Sequence, residues 1–177
     1  MRKTERAILT GLASMVPKGG IIVELGSYLG DSSKAIAKGI RAGDNQATLF
    51  CVDTWRGVWA KVEDGKTDAE RAMAQTLLHT DARVTFESNM TGIPHVTLQM
   101  STDQAVSKFR DGSVDMIFID ADHSYDAVRA DILNWMPKLK PGAFLCGHDY
   151  RNYEGVTKAV EETVGAFSVR ETIWLRD

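Results

Sequence analysis

Two short clusters of aspartate and histidine are the residues of this chain best suited to chemistry. Residues 120–125 are Asp-Ala-Asp-His-Ser-Tyr, and residues 147–150 are Gly-His-Asp-Tyr. Each cluster directly follows an apolar run, so we expect both at strand ends on one rim of a sheet. Asp120, His148 and Asp149 supply carboxylate and imidazole ligands that suit one divalent cation, such as magnesium or manganese, with positions left for water.

His123 is the candidate general base of the same rim. An unperturbed histidine has a pKa of about 6.5, so its neutral ring can accept a proton from a substrate hydroxyl at physiological pH. The alternative is a hydrogen-bonded polar rim without catalysis. In that arrangement Asp122 or Ser124 caps the next helix, and His148 is an ordinary loop residue.

A glycine-containing loop follows another apolar run, with the pattern Glu-x-Gly-x-x-x-Gly over residues 24–30. Glycine lets the backbone approach a ligand closely, and the helix that is predicted to begin at residues 31–33 offers free amides. Because Glu24 places a carboxylate where the diphosphate of a dinucleotide would lie, a cationic or zwitterionic ligand fits better. The same glycines would also serve a tight turn that binds nothing. The candidate ligand-binding residues of this loop are Glu24, Gly26, Ser27, Tyr28, Gly30 and Ser32.

Two further strand ends have residues typical of a nucleoside pocket. Asp53 ends the second predicted strand, where a carboxylate can accept both ribose hydroxyls, and Thr54 and Trp55 follow it. The alternative for Asp53 is a solvated loop residue. Ser101 and Thr102 follow the third strand and suit an adenine edge, although an N-cap role explains them equally well.

Strand and helix patterns alternate along the chain. Short, wholly apolar strands between amphipathic helices indicate a parallel sheet covered on both faces, which is the doubly wound α/β class. In such sheets ligands bind beyond the carboxyl ends of the strands. Residues 54–65 and most of 83–95 are predicted as loops, with a short helix near Ser88. The predicted strands are 21–25, 49–52, 96–100, 114–119, 143–146 and one or two within 167–175, and the predicted helices are 4–16, 31–40, 67–78, 102–109, 125–136 and 155–164.

Length and charge narrow the classes of function. The chain has 177 residues, 44% of them hydrophobic, which suits a single domain over residues 1–177, with an N-terminal helix in 1–18 and the core in 19–177. Its 21 lysines and arginines against 24 acidic residues give a net charge of -3. Because the chain has no basic run, we do not expect it to bind nucleic acid. We expect a small-molecule partner instead.

Apolar runs and cysteines indicate the compartment. The longest apolar runs, 20–25 and 114–119, are far shorter than the roughly 20 residues that cross a membrane, so no membrane partner is expected. The N-terminus lacks the apolar core of an export signal. Cys51 and Cys146 form no CxxC pair and lie in apolar stretches. We therefore expect a cytoplasmic protein with two buried thiols.

Taken together, these motifs resemble class I S-adenosylmethionine-dependent methyltransferases. The similarity rests on the 24–30 loop, Cys51-Val52-Asp53, and residues 118–125 and 147–150, and it covers about residues 20 to 165. Within the family, the chain looks most similar to the small-molecule O-methyltransferase branch, which includes macrocin-type sugar methyltransferases and cephalosporin-hydroxylase-like proteins. The resemblance implies a seven-stranded Rossmann-like sheet with an antiparallel closing hairpin. It also implies methyl transfer from S-adenosylmethionine to a hydroxyl oxygen, such as one on a sugar or glycan unit.

The resemblance also implies roles for individual residues. Glu24 would lie near the methionine amino group, the loop 26–30 under the cofactor, and Asp53 on the ribose. Ser101 and Thr102 would lie beside the adenine, and Asp120 would also border the cofactor. Metal-dependent relatives bind magnesium where this chain has Asp120, His148 and Asp149, and sugar-methylating relatives have their proposed base where it has His123.

Two features depart from the family pattern. Many metal-binding relatives have a carboxylate where His148 stands, and imidazole suits manganese, iron or zinc better than magnesium. Relatives also often have a longer N-terminal lid or oligomerisation segment. We expect the lid role to fall to the loop from Trp55 to Lys66, whose Trp55 and Trp59 would otherwise be exposed aromatics, or to a partner subunit in a homo-oligomer.

Two other functions are compatible with this fold class. A nucleotide-cofactor oxidoreductase is disfavoured by Glu24 and by the absence of a second glycine at the spacing that contacts a pyrophosphate. A non-catalytic module that keeps the nucleoside pocket is the other alternative.

Overall fold

The computed structural model describes residues 1–56 and 81–176, in which seven strands form one sheet. The strands are β1 (Ile21–Leu25), β2 (Thr48–Asp53), β3 (Val96–Gln99), β4 (Val114–Ile119), β5 (Leu139–Gly147), β6 (Phe167–Arg170) and β7 (Ile173–Arg176). The α-helices are α1 (Lys3–Ser14), α2 (Asp31–Ala42), α3 (Ala82–Asn89), α4 (Thr102–Ala105), α5 (Tyr125–Trp135) and α6 (Glu154–Thr163), with 3-10 turns at Val106–Lys108 and Met136–Lys138.

The strand order is β3-β2-β1-β4-β5-β7-β6. Strands β1 to β5 pair in parallel, while β7 pairs antiparallel with both β5 and β6. The sheet is therefore Rossmann-like and mostly parallel, with an antiparallel closing hairpin, as predicted. Strand order reverses between β1 and β4, which places the ligand crevice of such a sheet at the carboxyl ends of these two strands.

Helices cover both faces of the sheet. Neighbouring residues of β1 belong to opposite cores, because side chains alternate along a strand: Ile22 packs with α1 and α2, and Val23 packs with α5 and α6. Every residue of β4 is buried. This confirms the prediction that apolar strands are covered on two sides. The thiols of Cys51 and Cys146 are buried and unpaired, also as predicted.

Helix α1 is attached closely to the core. The Thr10 hydroxyl donates a hydrogen bond to the Ala35 carbonyl of α2 at 3.0 Å, and Leu9 and Leu12 are buried beside Ile36. Among the helices of residues 1–56 and 81–176, none is long and apolar enough to cross a membrane.

Two predictions of local structure were wrong in extent: the short helix predicted near Ser88 is longer, and one strand begins earlier. Residues 82–89 form the regular helix α3, which Asp81 caps by accepting hydrogen bonds from two backbone amides, whereas the sequence predicted mainly a loop. The helix buries only Phe86, so its apolar periodicity is weak. Strand β5 begins at Leu139 rather than at residue 143, and Pro141 lies at an irregularity of its pairing with β4. The predicted helix 67–78 and most of the loop 54–65 lie outside the described residues.

Candidate functional site

The loops that follow β1 and β4 touch directly at Gly26. This residue has a φ of +87°, and a Cβ atom added there would lie 2.1 Å from the Asp120 carbonyl oxygen. The Asp120 amide also donates to the Leu25 carbonyl at 2.8 Å. Contact with the chain's own backbone therefore already requires glycine at position 26.

Glu24 lies fully buried beneath this turn. Its Oε2 atom accepts hydrogen bonds from the hydroxyls of Ser27, at 2.6 Å, and Ser33, at 2.5 Å. Its Oε1 atom has no partner among the described residues. Burial raises the pKa of the Glu24 carboxyl, and hydrogen bonds from Ser27, Ser32 and Ser33 oppose that rise. The N-cap residue of α2 is Gly30, and the side chains of Ser32 and Ser33 in the first turn of this helix face Glu24.

Asp53 joins the loops that follow β1 and β2. Its two oxygens accept hydrogen bonds from the backbone amides of Tyr28, at 2.8 Å, and Trp55, at 2.7 Å. The Trp55 indole donates to the Tyr28 carbonyl at 2.8 Å. A carboxylate oxygen has two lone pairs, so Asp53 retains acceptor capacity for hydroxyl donors. The hydroxyl of Thr54, the residue after Asp53, accepts a hydrogen bond from the Arg56 amide at 3.3 Å.

Trp55 is buried, which corrects the prediction that it is an exposed aromatic. Only 8% of its surface is exposed, and its ring lies 4.9 Å from that of Phe86 in α3. Trp55 is buried because its ring packs against Phe86 of α3, and the sequence predicts only part of this helix. Trp59 lies outside the described residues.

The end of β3 shows capping geometry. Ser101 is the N-cap of α4: its hydroxyl accepts from the Gln104 amide, and the Gln104 side chain accepts from the Ser101 amide, both at 3.3 Å. Thr102 interacts with the buried carboxyl of Asp131 in α5. Both hydroxyls therefore have structural partners, as the capping alternative predicts for Ser101.

The two aspartate–histidine clusters meet at the carboxyl ends of β4 and β5. His123 Nε2 lies 3.0 Å from Asp149 Oδ2 and 3.8 Å from Asp120 Oδ1. His148 Nδ1 lies 3.2 Å from Asp149 Oδ1 and 3.7 Å from Asp120 Oδ1. One ligand atom from each of Asp120, His123 and Asp149 lies within 4.8 Å of the others. The structure thus brings together the three predicted metal ligands and adds His123 to them.

Local geometry holds these side chains in place. Asp149 has a left-handed φ of 62° and accepts a hydrogen bond from the Asn152 side chain at 2.8 Å. The His123 ring stacks on Tyr153, with ring centres 4.2 Å apart and planes 7° apart. Asp122 accepts from the Ser124 amide at 2.7 Å, so it belongs to the turn before α5 rather than to the cluster.

The charges of this cluster change the protonation expected for His123. Burial alone would lower the pKa of His123, but hydrogen bonding and charge from Asp120 and Asp149 outweigh it and raise the pKa to about 9. The ordinary pKa assumed from sequence is therefore wrong for this arrangement, in which the ring is protonated at neutral pH. The pKa of His148 is also raised to about 9, against burial, chiefly by Asp149 and Asp120. For Asp149, burial acts to raise the pKa, but the two histidines and Asn152 bring it well below the usual range.

Sequence reasoning missed Asn152 and Tyr153, and it also missed a residue of α1 that reaches the cluster. Glu5 of α1 is 2% exposed, and its Oε2 atom lies 3.3 Å from His148 Nε2. A signal was present, because Glu5, Leu9 and Leu12 share one helical face and the other two are buried apolar residues. An acidic residue on the buried face of a helix needs a partner in the interior.

Comparison with known proteins places this geometry in a family. A family model described as a methyltransferase domain matches residues 23–150. An uncharacterized protein of Sinorhizobium fredii, y4gI, is 34% identical over 128 residues, which make up 72% of this chain and 13% of that protein. The chain thus spans about an eighth of the length of that curated relative.

Solved structures share the fold at low sequence identity. The O-methyltransferase NovP aligns with a TM-score of 0.70 and 16% identity, over 98% of this chain and 78% of that one. An SAH-bound methyltransferase of Podospora anserina aligns with a TM-score of 0.64 and 14% identity, over 99% and 78%. A SAM-dependent O-methyltransferase of Thermotoga maritima aligns with a TM-score of 0.61 and 15% identity, over 97% and 54%. With the family model matching most of the chain and the sheet that the resemblance implied, this protein belongs to the methyltransferase-domain family.

Proposed function

We propose that this protein transfers a methyl group from S-adenosylmethionine to a hydroxyl oxygen of a small molecule, with the help of a divalent cation. The observation that carries the proposal is the meeting of Asp120 and Asp149 with two imidazoles at the ends of β4 and β5. These strand ends border the crevice where sheets of this class bind their ligands. Carboxylates and histidines at that position suit activation of a hydroxyl next to a bound cofactor.

Residues at the ends of β1 and β2 fit the proposed cofactor. Glu24 has a buried carboxylate oxygen that lacks a partner within the described chain, and a donor such as an ammonium group or a bridging water would satisfy it. Asp53 is held by two backbone amides and can still accept ribose hydroxyls. The cofactor supplies a methyl group that its sulfonium has already activated. SAM and SAH in the names of two structural neighbours support the same choice.

The donor set fits a divalent cation. Asp120 and Asp149 are oxygen donors, and His148 presents Nδ1 to both of them. Two carboxylates and one imidazole suit manganese or iron, and with added water also magnesium. A bound cation would lower the pKa of a coordinated hydroxyl. His123 Nε2 lies closer to Asp149 than to Asp120, and its ring must lose its proton before it can act as a base or as a ligand. A cation bound to the two carboxylates would offset the negative charge that raises the pKa of His123, and the variants below distinguish the two roles.

The chain's own residues would align the reactants. Tyr153 holds the His123 ring by stacking, and Asn152 and the backbone hold Asp149. Such fixed groups contribute by orienting the hydroxyl in line with the donor methyl group. We propose a sugar or glycan unit as acceptor, on the resemblance of residues 118–125 and 147–150 to sugar methyltransferases. A reducing compartment such as the cytoplasm suits the two unpaired thiols.

Transfer of a labelled methyl group tests the proposal. The protein is incubated with S-adenosylmethionine and a panel of hydroxyl compounds, including free sugars, sugar nucleotides and glycans, with magnesium, manganese or a chelator. We expect SAH release that depends on both acceptor and cation. Cofactor binding without turnover over the whole panel would favour the non-catalytic module. Tight binding of a nicotinamide dinucleotide without binding of S-adenosylmethionine or SAH would favour the oxidoreductase.

A further inference from the structure

Glu5 occupies an unusual place for a helix-capping glutamate. It is the third residue of α1, and its side chain accepts a hydrogen bond from the Arg2 amide at 2.6 Å, as in a capping box. Glu5 is nevertheless only 2% exposed. A buried carboxylate is costly unless other groups stabilise it, so capping alone does not explain its position.

Two groups from distant parts of the chain face Glu5 in the interior. The hydroxyl of Thr172, between β6 and β7, donates to Oε1 at 2.8 Å. The Nε2 atom of His148, after β5, lies 3.3 Å from Oε2. Glu5 therefore links the N-terminal helix to the strand end that bears the candidate cation ligands.

The two nitrogens of His148 face different carboxylates. Nδ1 lies 3.2 Å from Asp149 and 3.7 Å from Asp120, while Nε2 lies near Glu5. The atom Nε2 has no aligned hydrogen bond among the described residues, so its interaction with Glu5 is one of charge and proximity. Metal-binding histidines almost always present their outer nitrogen to a carboxylate, carbonyl or water, which fixes the ring orientation. Glu5, His148 and the two aspartates have that arrangement.

We propose that Glu5 is a positioning residue of the site: by facing Nε2 of His148, it directs Nδ1 of the same ring toward Asp149 and Asp120. This inference rests on the proposed function, because the directed nitrogen is a candidate ligand of the cation. It makes α1 part of the active site, although no residue of α1 is placed against the substrate or the cofactor.

Binding of Mn²⁺ to the whole protein, followed by electron paramagnetic resonance, tests this role. In Glu5→Gln the side chain keeps its size but turns a donor or a neutral oxygen toward His148. We expect roughly 10-fold to 100-fold weaker Mn²⁺ binding, as is common when an outer carboxylate is lost. Affinity for SAH should change less than about twofold, because the contacts of Glu5 are with Arg2, Thr172 and His148 and not with the candidate cofactor residues Glu24 and Asp53. Glu5→Asp, which keeps the charge on a shorter chain, should restore part of the Mn²⁺ affinity.

Leu12→Ala is the matched control, since it removes a buried side chain from α1 without touching His148. It should lower the melting temperature and leave Mn²⁺ affinity of the folded protein unchanged. If Glu5→Gln behaves like Leu12→Ala, Glu5 is only structural and the proposal is overturned. If Glu5→Gln fails to fold, the comparison is made between Glu5→Asp and the unmutated protein, with the same expectation of weakened binding.

Ring nitrogen spectra separate this inference from the proposed function. The chain has four histidines, so ¹⁵N signals of His148 can be assigned by substitution. In the Glu5 variants we expect both His148 ring signals to shift, Nδ1 included, because the whole ring reorients. An unchanged Nδ1 signal would overturn the positioning role. If the unmutated protein neither binds Mn²⁺ nor transfers a methyl group, the cation-assisted function fails, while the spectra still decide whether Glu5 orients His148.

Discussion

His123 Nε2 lies 3.0 Å from Oδ2 of Asp149, so the loops that follow β4 and β5 are joined by one close ion pair. The imidazole reaches the carboxylate from the turn before α5, and stacking on Tyr153 fixes its ring. The pair brings together two clusters that are far apart in sequence. It also explains why neither side chain has the protonation behaviour of an isolated residue.

Gly26→Ala should destabilise the fold through a steric clash. Alanine in the left-handed region costs roughly 1 to 2 kcal/mol by itself. At Gly26 the added Cβ would also lie 2.1 Å from a backbone oxygen, so one of the two strand-end loops must move. Gly92→Ala is the control, because φ is +77° there and nothing lies within 4 Å. Denaturant unfolding should show a clearly larger loss for Gly26→Ala, and equal losses would contradict the close approach.

Asp53→Ala should weaken binding of S-adenosylmethionine and SAH. Loss of charge-assisted hydrogen bonds to ribose costs on the order of 1.5 to 3 kcal/mol each. The variant also removes acceptors of the Tyr28 and Trp55 amides, which adds disorder to both loops. Calorimetry on this variant and on Asp111→Asn, an exposed control, measures the difference. An unchanged affinity would remove Asp53 from the cofactor site.

The strands and their functional ends could be predicted from sequence because each is a local pattern. The nearly continuous apolar run 114–119 predicted β4, and Asp120 follows it directly. Helix α3 was harder to predict than the strands, because Phe86 is its one buried residue and a single position gives no apolar periodicity. Trp55 packs on that helix, so the incomplete prediction of α3 led to the wrong expectation that Trp55 is exposed.

Interactions between charged residues that are distant in sequence could not be predicted from local patterns. The raised pKa of His123 depends on Asp149, which comes from another strand end. Glu5 contacts His148 only because α1 packs beside the closing hairpin and against the sheet. Local patterns identify residue types and their strand ends, but distances between ends depend on the packing of the whole sheet.

Asp149→Asn should lower turnover and cation binding together. Asp149 faces both imidazoles and is the carboxylate most strongly held in its charged form. If a cation activates the hydroxyl, the loss should be roughly 100-fold or more. Asp126→Asn, on the exposed start of α5, is the control and should leave both unchanged. Turnover that survives exhaustive chelation and does not rise with magnesium or manganese would remove the cation from the mechanism.

Asp131→Asn should stabilise the fold at neutral pH but not at acidic pH. Burial raises the pKa of Asp131 to about 6, despite its hydrogen bond with Thr102. The folded state therefore prefers the protonated form, so the cost is absent below the unfolded pKa and fully present above the folded one. A shift of this size corresponds to about 3 kcal/mol at most.

Melting temperatures of the unmutated protein and Asp131→Asn at pH 4 and pH 7.5 provide the check. We expect the variant to be more stable at pH 7.5 and the two proteins to be nearly equal at pH 4. A difference that is the same at both values, or larger at pH 4, would contradict the raised pKa.

His123→Ala tests whether this ring takes part in the chemistry. If Nε2 removes the hydroxyl proton in the transition state, turnover should fall by roughly 100-fold to 10,000-fold while SAH affinity changes little. If His123 instead serves as a cation ligand, both Mn²⁺ affinity and turnover should fall in His123→Ala. In His123→Gln, neither quantity should return fully to its normal value. A purely structural role predicts a lower melting temperature with near-normal turnover in the molecules that remain folded.

Because His123 stacks on Tyr153, Tyr153→Phe is the matched control: it keeps the ring contact and should retain turnover if the stack alone positions His123. A folded, cofactor-binding His123→Ala protein with more than about a tenth of normal turnover would exclude His123 as the base, since general-base catalysis contributes at least about 100-fold.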